Sequence, residues 1–76
     1  FSVIGFGSEE ERDDLQQIDG IGRFVEKKLN AVGIYKISQI ANMNQSISDE
    51  VNAAIGLGPG RIDRDEWVLQ AKRLIR

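Results

Sequence analysis

Apolar residues recur along this chain at three- and four-residue spacing and do not alternate, so the pattern predicts helices and gives no strand signal. Val25, Leu29 and Val32 stand at i, i+4 and i+7, with Arg23, Lys27 and Asn30 on the other side. That predicts a helix from just after Gly22 to Ala31 or Val32, with Gly33 as its stop. Ile34, Ile37, Ile40 and Ala41 predict a short amphipathic helix after a Tyr35-Lys36 turn, closed by Met43. Ser46-Ile47-Ser48-Asp49 reads as a cap opening a helix that buries Ile47, Val51, Ala54 and Ile55, and Gly56-Leu57-Gly58-Pro59-Gly60 ends it. A last helix is expected from Asp63, whose side chain caps it with Glu66 three residues on, and its inner stripe is Trp67, Ala71, Leu74 and Ile75. Upstream, Ser8-Glu9-Glu10-Glu11 has the form of a capping box, opening a helix from near Glu9 to about Ile18 with Leu15 and Ile18 on one face. The sum is an all-α fold, a compact bundle of about five short helices. Phe1, Val3, Ile4 and Phe6 precede the first cap, either covering the domain or belonging to a linker.

Between two of these segments lies Gly20-Ile21-Gly22. Glycine tolerates positive φ and admits a second backbone closely, so amides here can open toward an anion at the start of the following helix. A nucleic-acid phosphate suits that geometry. A tight αα-corner with Ile21 plugging the core explains the same residues, and alanine at Gly20 or Gly22 is expected to damage the fold under either reading.

Leu15, Ile18, Gly20, Ile21 and Gly22, then Leu29, Gly33 and Ile34 one helix later, fill the order apolar-x-x-apolar-x-Gly-apolar-Gly and Leu-x-x-x-Gly-apolar. The chain thereby resembles the helix-hairpin-helix family. The longer stretch to Trp67 and Ala71, with Pro59-Gly60-Arg61-Ile62-Asp63-Arg64-Asp65-Glu66-Trp67, is similar to a bacterial branch described as flap-endonuclease-like helix-3-turn-helix domains. In that branch the module is appended to other proteins, among them a large-subunit ribosomal protein and a respiratory-chain subunit. The resemblance covers residues 13–75 and implies DNA binding beside a separate catalytic domain, so binding without chemistry. The chain departs from the family where Arg23 and Phe24 replace a favoured Pro and Lys. Arg23 still reaches a phosphate bidentately, whereas Phe24 cannot donate and suits a protein contact or base stacking. Glu26 stands where the broader family favours a small residue, and it repels a phosphate unless it points away or pairs with Lys27, Lys28 or Asn30.

Composition narrows the remaining choices. With 76 residues there is room for one small domain, burying about 60% of its unfolded surface. One Pro, 8 Gly and 41% hydrophobic residues belong to the globular class. Neither Cys nor His occurs, which removes disulfides, thiolate and zinc sites, Cys nucleophiles and His bases. Lack of Cys is compatible with a reducing cytosol. No apolar run reaches the ~18 residues of a membrane span, and no signal-peptide pattern opens the chain. A cytoplasmic location is expected. Phe1 in place of Met implies a piece of a longer protein, whose other parts could be membrane-anchored or enzymatic.

The net charge of −2 is unevenly spread. Residues 1–19 carry six carboxylates against Arg12 alone, a balance of −5, whereas nine cations meet six anions from residue 20 onward, a balance of +3. Residues 1–12 therefore read as an acidic leader or linker and residues 13–76 as the helix-hairpin-helix domain. The leader is a solvated linker or first helical turn, or a DNA mimic shielding the basic face. An excess so far below a pI of about 9 implies weak, salt-sensitive binding, mostly to phosphates.

Other motifs subtract functions. Val3-Ile4-Gly5-Phe6-Gly7-Ser8 opens like a dinucleotide-binding turn, but the third glycine is missing and there is no room for the sheet. Gly56-Leu57-Gly58-Pro59-Gly60-Arg61 is either a second phosphate-cradling hairpin or a helix stop plus a turn, and it lacks the Gly-Lys-Ser/Thr of a P-loop. Asp63, Asp65 and Glu66 sit on one helical turn, and the Glu9 to Asp14 run is local, so no carboxylate set converges on a metal. The sequence therefore points to a non-catalytic module, with no cofactor and no small-molecule substrate, that holds DNA or RNA backbone without reading sequence. The amides of Gly20, Ile21 and Gly22 would hold one phosphate, Arg23 and Lys27 would add charge, and Arg61 and Arg64 would make a second contact. The alternative is an interaction or tethering module for another protein or another domain of the parent chain.

Overall fold

The glycines fall outside the helical periodicity, and that is where the helices stop. A computed structural model describes residues 9–58 and 60–75. The expected Ser8 cap, the Gly5-x-Gly7 turn and the apolar residues from Phe1 to Phe6 lie outside the described residues. α1 (Arg23–Ala31) begins after an extended Gly22, buries Leu29 completely and packs Val25 and Val32 partly against the core. Gly33 ends it at φ 89°, a left-handed turn that glycine adopts without strain. α2 (Ile37–Ala41), α3 (Gln45–Ala54), α4 (Arg61–Arg64) and α5 (Trp67–Leu74) follow. Among the described residues the fold is all-α, as the pattern predicts.

Three expected details differ. The helix expected from Glu9 to Ile18 is instead two 3-10 turns, Glu9–Glu11 and Leu15–Gln17. Side chains and backbone in between are committed elsewhere: the Asp13 amide donates to the Tyr35 carbonyl at 2.8 Å, and the Asp13 carboxylate accepts from the Ile37 amide at 2.8 Å, capping α2. Asp14 accepts from the Gln16 amide at 3.0 Å, and Glu26 of α1 accepts from the Leu15 amide at 2.9 Å. Asp residues that bond nearby backbone in this way compete with helix formation.

α3 is capped by Asn44, not Ser46; the Asn44 side chain accepts from the Ile47 amide at 2.9 Å. In this register Ile47, Val51 and Ile55 are buried with Ser48 and Asn52, while Ala54 faces solvent. The expected last helix is broken in two. Asp63 is not its cap, because its carboxylate takes the Gln45 side-chain amide at 2.6 Å. The chain turns at Asp65 and Glu66, and α5 restarts with Trp67 and Ala71 facing inward, so Leu74 and Ile75 end up exposed.

Glu66 sits at φ 55° and ψ 42°, the one non-glycine residue with positive φ among the described residues. Its side chain is exposed, so the strain has no compensating burial. Glu66→Gly should therefore stabilise the domain by roughly 0.5–1 kcal/mol, visible as a raised melting temperature.

Packing joins α2 to α5, α3 to α4, and α1 to the Leu15–Gln17 turn. Trp67, Leu15, Ile18, Leu29, Ile34, Ile40, Ile62 and Val51 form the driest part of the core. Buried amides stitch the loops to it, as buried polar groups require. The Gln39 side chain accepts from the Tyr35 and Lys36 amides at 2.8 and 3.0 Å and donates to the Gly33 carbonyl at 3.1 Å. Asn52 donates to the Gly58 carbonyl at 2.8 Å and accepts from the Ile62 amide at 3.1 Å.

Candidate functional site

The hairpin residues Gly20, Ile21 and Gly22 do three different jobs. Ile21 is buried in the core, and its amide donates to the Ile18 carbonyl at 3.0 Å, so that amide is already spent on the turn. Gly20, at φ 102°, is pressed against the α4–α5 junction. A Cβ there would lie 2.6 Å from Asp65 Oδ2 and 2.9 Å from Trp67 Nε1. Gly22 is different: it is extended at φ −92° and ψ −177°, with nothing within 4 Å of where its Cβ would be. Any residue adopts that backbone, so by geometry Gly22→Ala is expected to keep the fold where Gly20→Ala does not.

Arg61 explains how the junction is held. Its Nε donates to Asp65 Oδ2 at 2.8 Å, and its Nη2 donates to the Gly20 carbonyl at 3.3 Å. Gln70 clasps the hairpin from α5: its side chain accepts from the Asp19 amide at 2.8 Å and donates to the Asp19 and Asp65 carbonyls at 3.1 and 2.8 Å. Sequence reading missed Gln70, because a polar residue between inward-facing Trp67 and Ala71 carries no mark of a partner 51 positions away. Asp19, Asp65 and Glu66 line the shallow depression of about 410 Å³ beside Gly20. Arg73 lines it as well, and Asp65 is paired with Arg61, so the three carboxylates there are partly balanced by cations.

The start of α1 is built differently. Gly22 offers no side chain to cap the helix, so among the described residues the amides of its first turn have no side-chain acceptor. The helix dipole adds partial positive charge there. Arg23 and Lys27 are both exposed. Glu26, the only carboxylate of α1, is bonded to the Leu15–Gln17 turn: its two oxygens accept from the Leu15 amide at 2.9 Å and the Gln16 side-chain amide at 3.0 Å. It shares a shallow depression with Arg12, Asp13 and Asp14.

The second glycine-rich loop is occupied with folding. Gly56 is left-handed at φ 72°, the Arg61 amide donates to the Gly58 carbonyl at 3.2 Å, and Asn52 takes the Ile62 amide. That is the pattern of a helix stop and a turn. Arg64 is exposed on α4, apart from the Arg61–Asp65 pair. Among the described residues no group of three or more acidic side chains gathers to hold a metal ion, and no helix is long and apolar enough to cross a membrane.

Comparison with known proteins agrees with this architecture. A family model described as the RS2/RL21/YNQ2 HHH domain matches residues 15–75. Small ribosomal subunit protein uS2 of Methylobacterium radiotolerans is 43% identical over 63 residues, covering 83% of this chain and 18% of that protein. The uS2 protein of a Bradyrhizobium species is 40% identical over 62 residues, 82% of this chain and 18% of its own length. An uncharacterized 22.9 kDa protein in the nqo2 3′ region of Paracoccus denitrificans is 42% identical over 62 residues, 82% of this chain and 29% of that protein. The chain thus spans less than a third of each of these relatives. No solved structure matches it. With its hairpin, its helices and four-fifths of its length matched, the chain belongs to the helix-hairpin-helix family of RS2/RL21/YNQ2 HHH domains.

Proposed function

We propose that this domain is a non-catalytic module that holds nucleic-acid backbone without reading its sequence, and that it does so at the start of α1. The observation that carries the reading is the uncapped N-terminus of α1 beside exposed Arg23 and Lys27, with Glu26 bonded to the Leu15–Gln17 turn. Gly22 lets a phosphate approach the first-turn amides, and the two cations add charge-assisted contacts. Gly20 and Ile21 contribute the shape of the turn. Arg64 supplies a second, peripheral charge, and Arg61 serves chiefly to clamp Asp65 to the hairpin. Contacts of this kind position a strand and carry no base information.

RNA is the polymer to test first, because two of those relatives are named as proteins of the small ribosomal subunit. DNA held beside a catalytic domain elsewhere in a parent chain, as in flap-endonuclease-like branches, is the other form of the same reading. Residues 13–76 act as the binding unit and residues 1–12 as its leader. A protein contact is the second reading, favoured by the 72% exposure of Phe24.

Titration of fluorescently labelled RNA and DNA at several salt concentrations tests the proposal. Arg23→Ala/Lys27→Ala should weaken binding roughly tenfold at low salt and flatten the dependence of log K on log salt by about 1.5 to 2. Absence of binding by folded protein at low salt would leave the protein-contact reading standing in its place.

A further inference from the structure

Phosphate binding has no use for Phe24, yet the second residue of α1 is 72% exposed, more than any other large apolar side chain among the described residues. A single exposed apolar residue is ordinary on a protein surface, so what singles out Phe24 is its place beside the exposed cations Arg23 and Lys27. Lys28, one turn on, holds its Nζ 5.0 Å from the ring centroid while donating to the Ile55 carbonyl at 3.2 Å. The ammonium is thereby anchored to the end of α3 and steadies one face of the ring by a cation–π contact. The helix that carries Phe24 has Arg23 and Lys27 as its exposed cations, and its only carboxylate, Glu26, is bonded to Leu15 and Gln16.

Charge complementarity selects a polyanion for this surface, and the aromatic plane selects among polyanions. A nucleic-acid strand supplies a flat π-face with every phosphate, and base–aromatic stacking is sequence-tolerant. In a duplex those faces are already stacked on one another, whereas unpaired bases can splay onto a side chain. A site built from charge alone would favour the duplex, whose charge density is higher.

We infer that Phe24 makes this surface selective for unpaired nucleotides, stacking a base while the start of α1 holds the adjoining phosphate. The inference rests on the backbone contact proposed above. Phe24 is the specificity-determining residue, and Lys28 is a positioning residue for its ring.

The test is fluorescence anisotropy with a labelled oligouridine strand and an RNA duplex of equal length, on wild type, Phe24→Leu, Phe24→Tyr and Arg23→Ala/Lys27→Ala. The wild type should bind the strand at least about fivefold more tightly than the duplex. Phe24→Leu should lose that preference while binding the duplex as before, and Phe24→Tyr should retain it. Equal binding of strand and duplex by the wild type, or a Phe24→Leu loss shared equally by both, overturns the inference and leaves the backbone site intact. No binding to either RNA, or binding that ignores Arg23→Ala/Lys27→Ala, removes the backbone site and this inference with it. Because Phe24 is exposed, its variants should melt with the wild type.

Discussion

Trp67→Ala should cost the domain about 3–5 kcal/mol, the range for truncating a fully buried aromatic residue. In a single domain of 76 residues that is a large share of the whole stability. Trp67 is 0% exposed, opens α5, and belongs to the helix that packs most closely on α2. Its loss leaves a cavity between two short helices, neither of which is long enough to persist alone. Urea denaturation followed by circular dichroism reads the effect directly. Trp67→Phe should behave differently and cost only about 1 kcal/mol, because the indole Nε1 is buried with no hydrogen-bond partner among the described residues. Removing an unsatisfied donor offsets part of the lost packing. If Phe proves as costly as Ala, the indole N–H is bonded in solution, and Asp65, whose Oδ2 lies with Nε1 beside Gly20, is the acceptor to test. Asp65→Asn in the Trp67→Phe background then tells whether the two side chains are coupled.

The elements that sequence patterning located are those whose determinants are local. α1, its Gly33 stop and α2 follow from apolar spacing and a left-handed glycine within a few residues of each other. What patterning misjudged depends on partners far along the chain. Asp13 caps α2 from 24 residues away, and that commitment converts an expected helix into two 3-10 turns. The break between α4 and α5 coincides with Arg61 reaching the Gly20 carbonyl 41 residues back and Gln70 reaching Asp19 across 51. Ser46 and Asn44 are equally good caps by residue type, and it is the Asn44 side chain that takes the Ile47 amide. The candidate site divides the same way. That Glu26 repels a phosphate unless it points away or pairs with Lys27, Lys28 or Asn30 is readable from residue types, whereas its bonds to the Leu15 amide and the Gln16 side chain are not. That Gly20 faces carboxylates and Gly22 faces open space is decided by α4 and α5, which the motif does not contain.

Gly20→Ala and Gly22→Ala should consequently part company, although the two glycines look equivalent in the motif. At Gly20 an L-residue inherits a φ of 102°, and its Cβ meets Asp65 Oδ2 at 2.6 Å and Trp67 Nε1 at 2.9 Å. Asp65 cannot swing aside without leaving Arg61, which it holds at 2.8 Å, and Trp67 is locked in the core. Strain and overpacking together should cost roughly 3 kcal/mol. At Gly22 the backbone is extended and the space is open, so the cost is that of a poorer helix cap, about 1 kcal/mol or less. Chemical denaturation of the two variants side by side checks the difference, and equal losses would mean that the α4–α5 junction yields freely to the hairpin. A folded Gly22→Ala domain then becomes the sharper functional probe, since its added methyl stands beside the uncapped amides and touches no other part of the protein. Loss of RNA affinity in that variant at an unchanged fold ties the phosphate to the backbone of α1. Retained affinity moves the contact outward to the side chains of Arg23 and Lys27, where the hairpin acts as a mount for charge and has no cradle of its own.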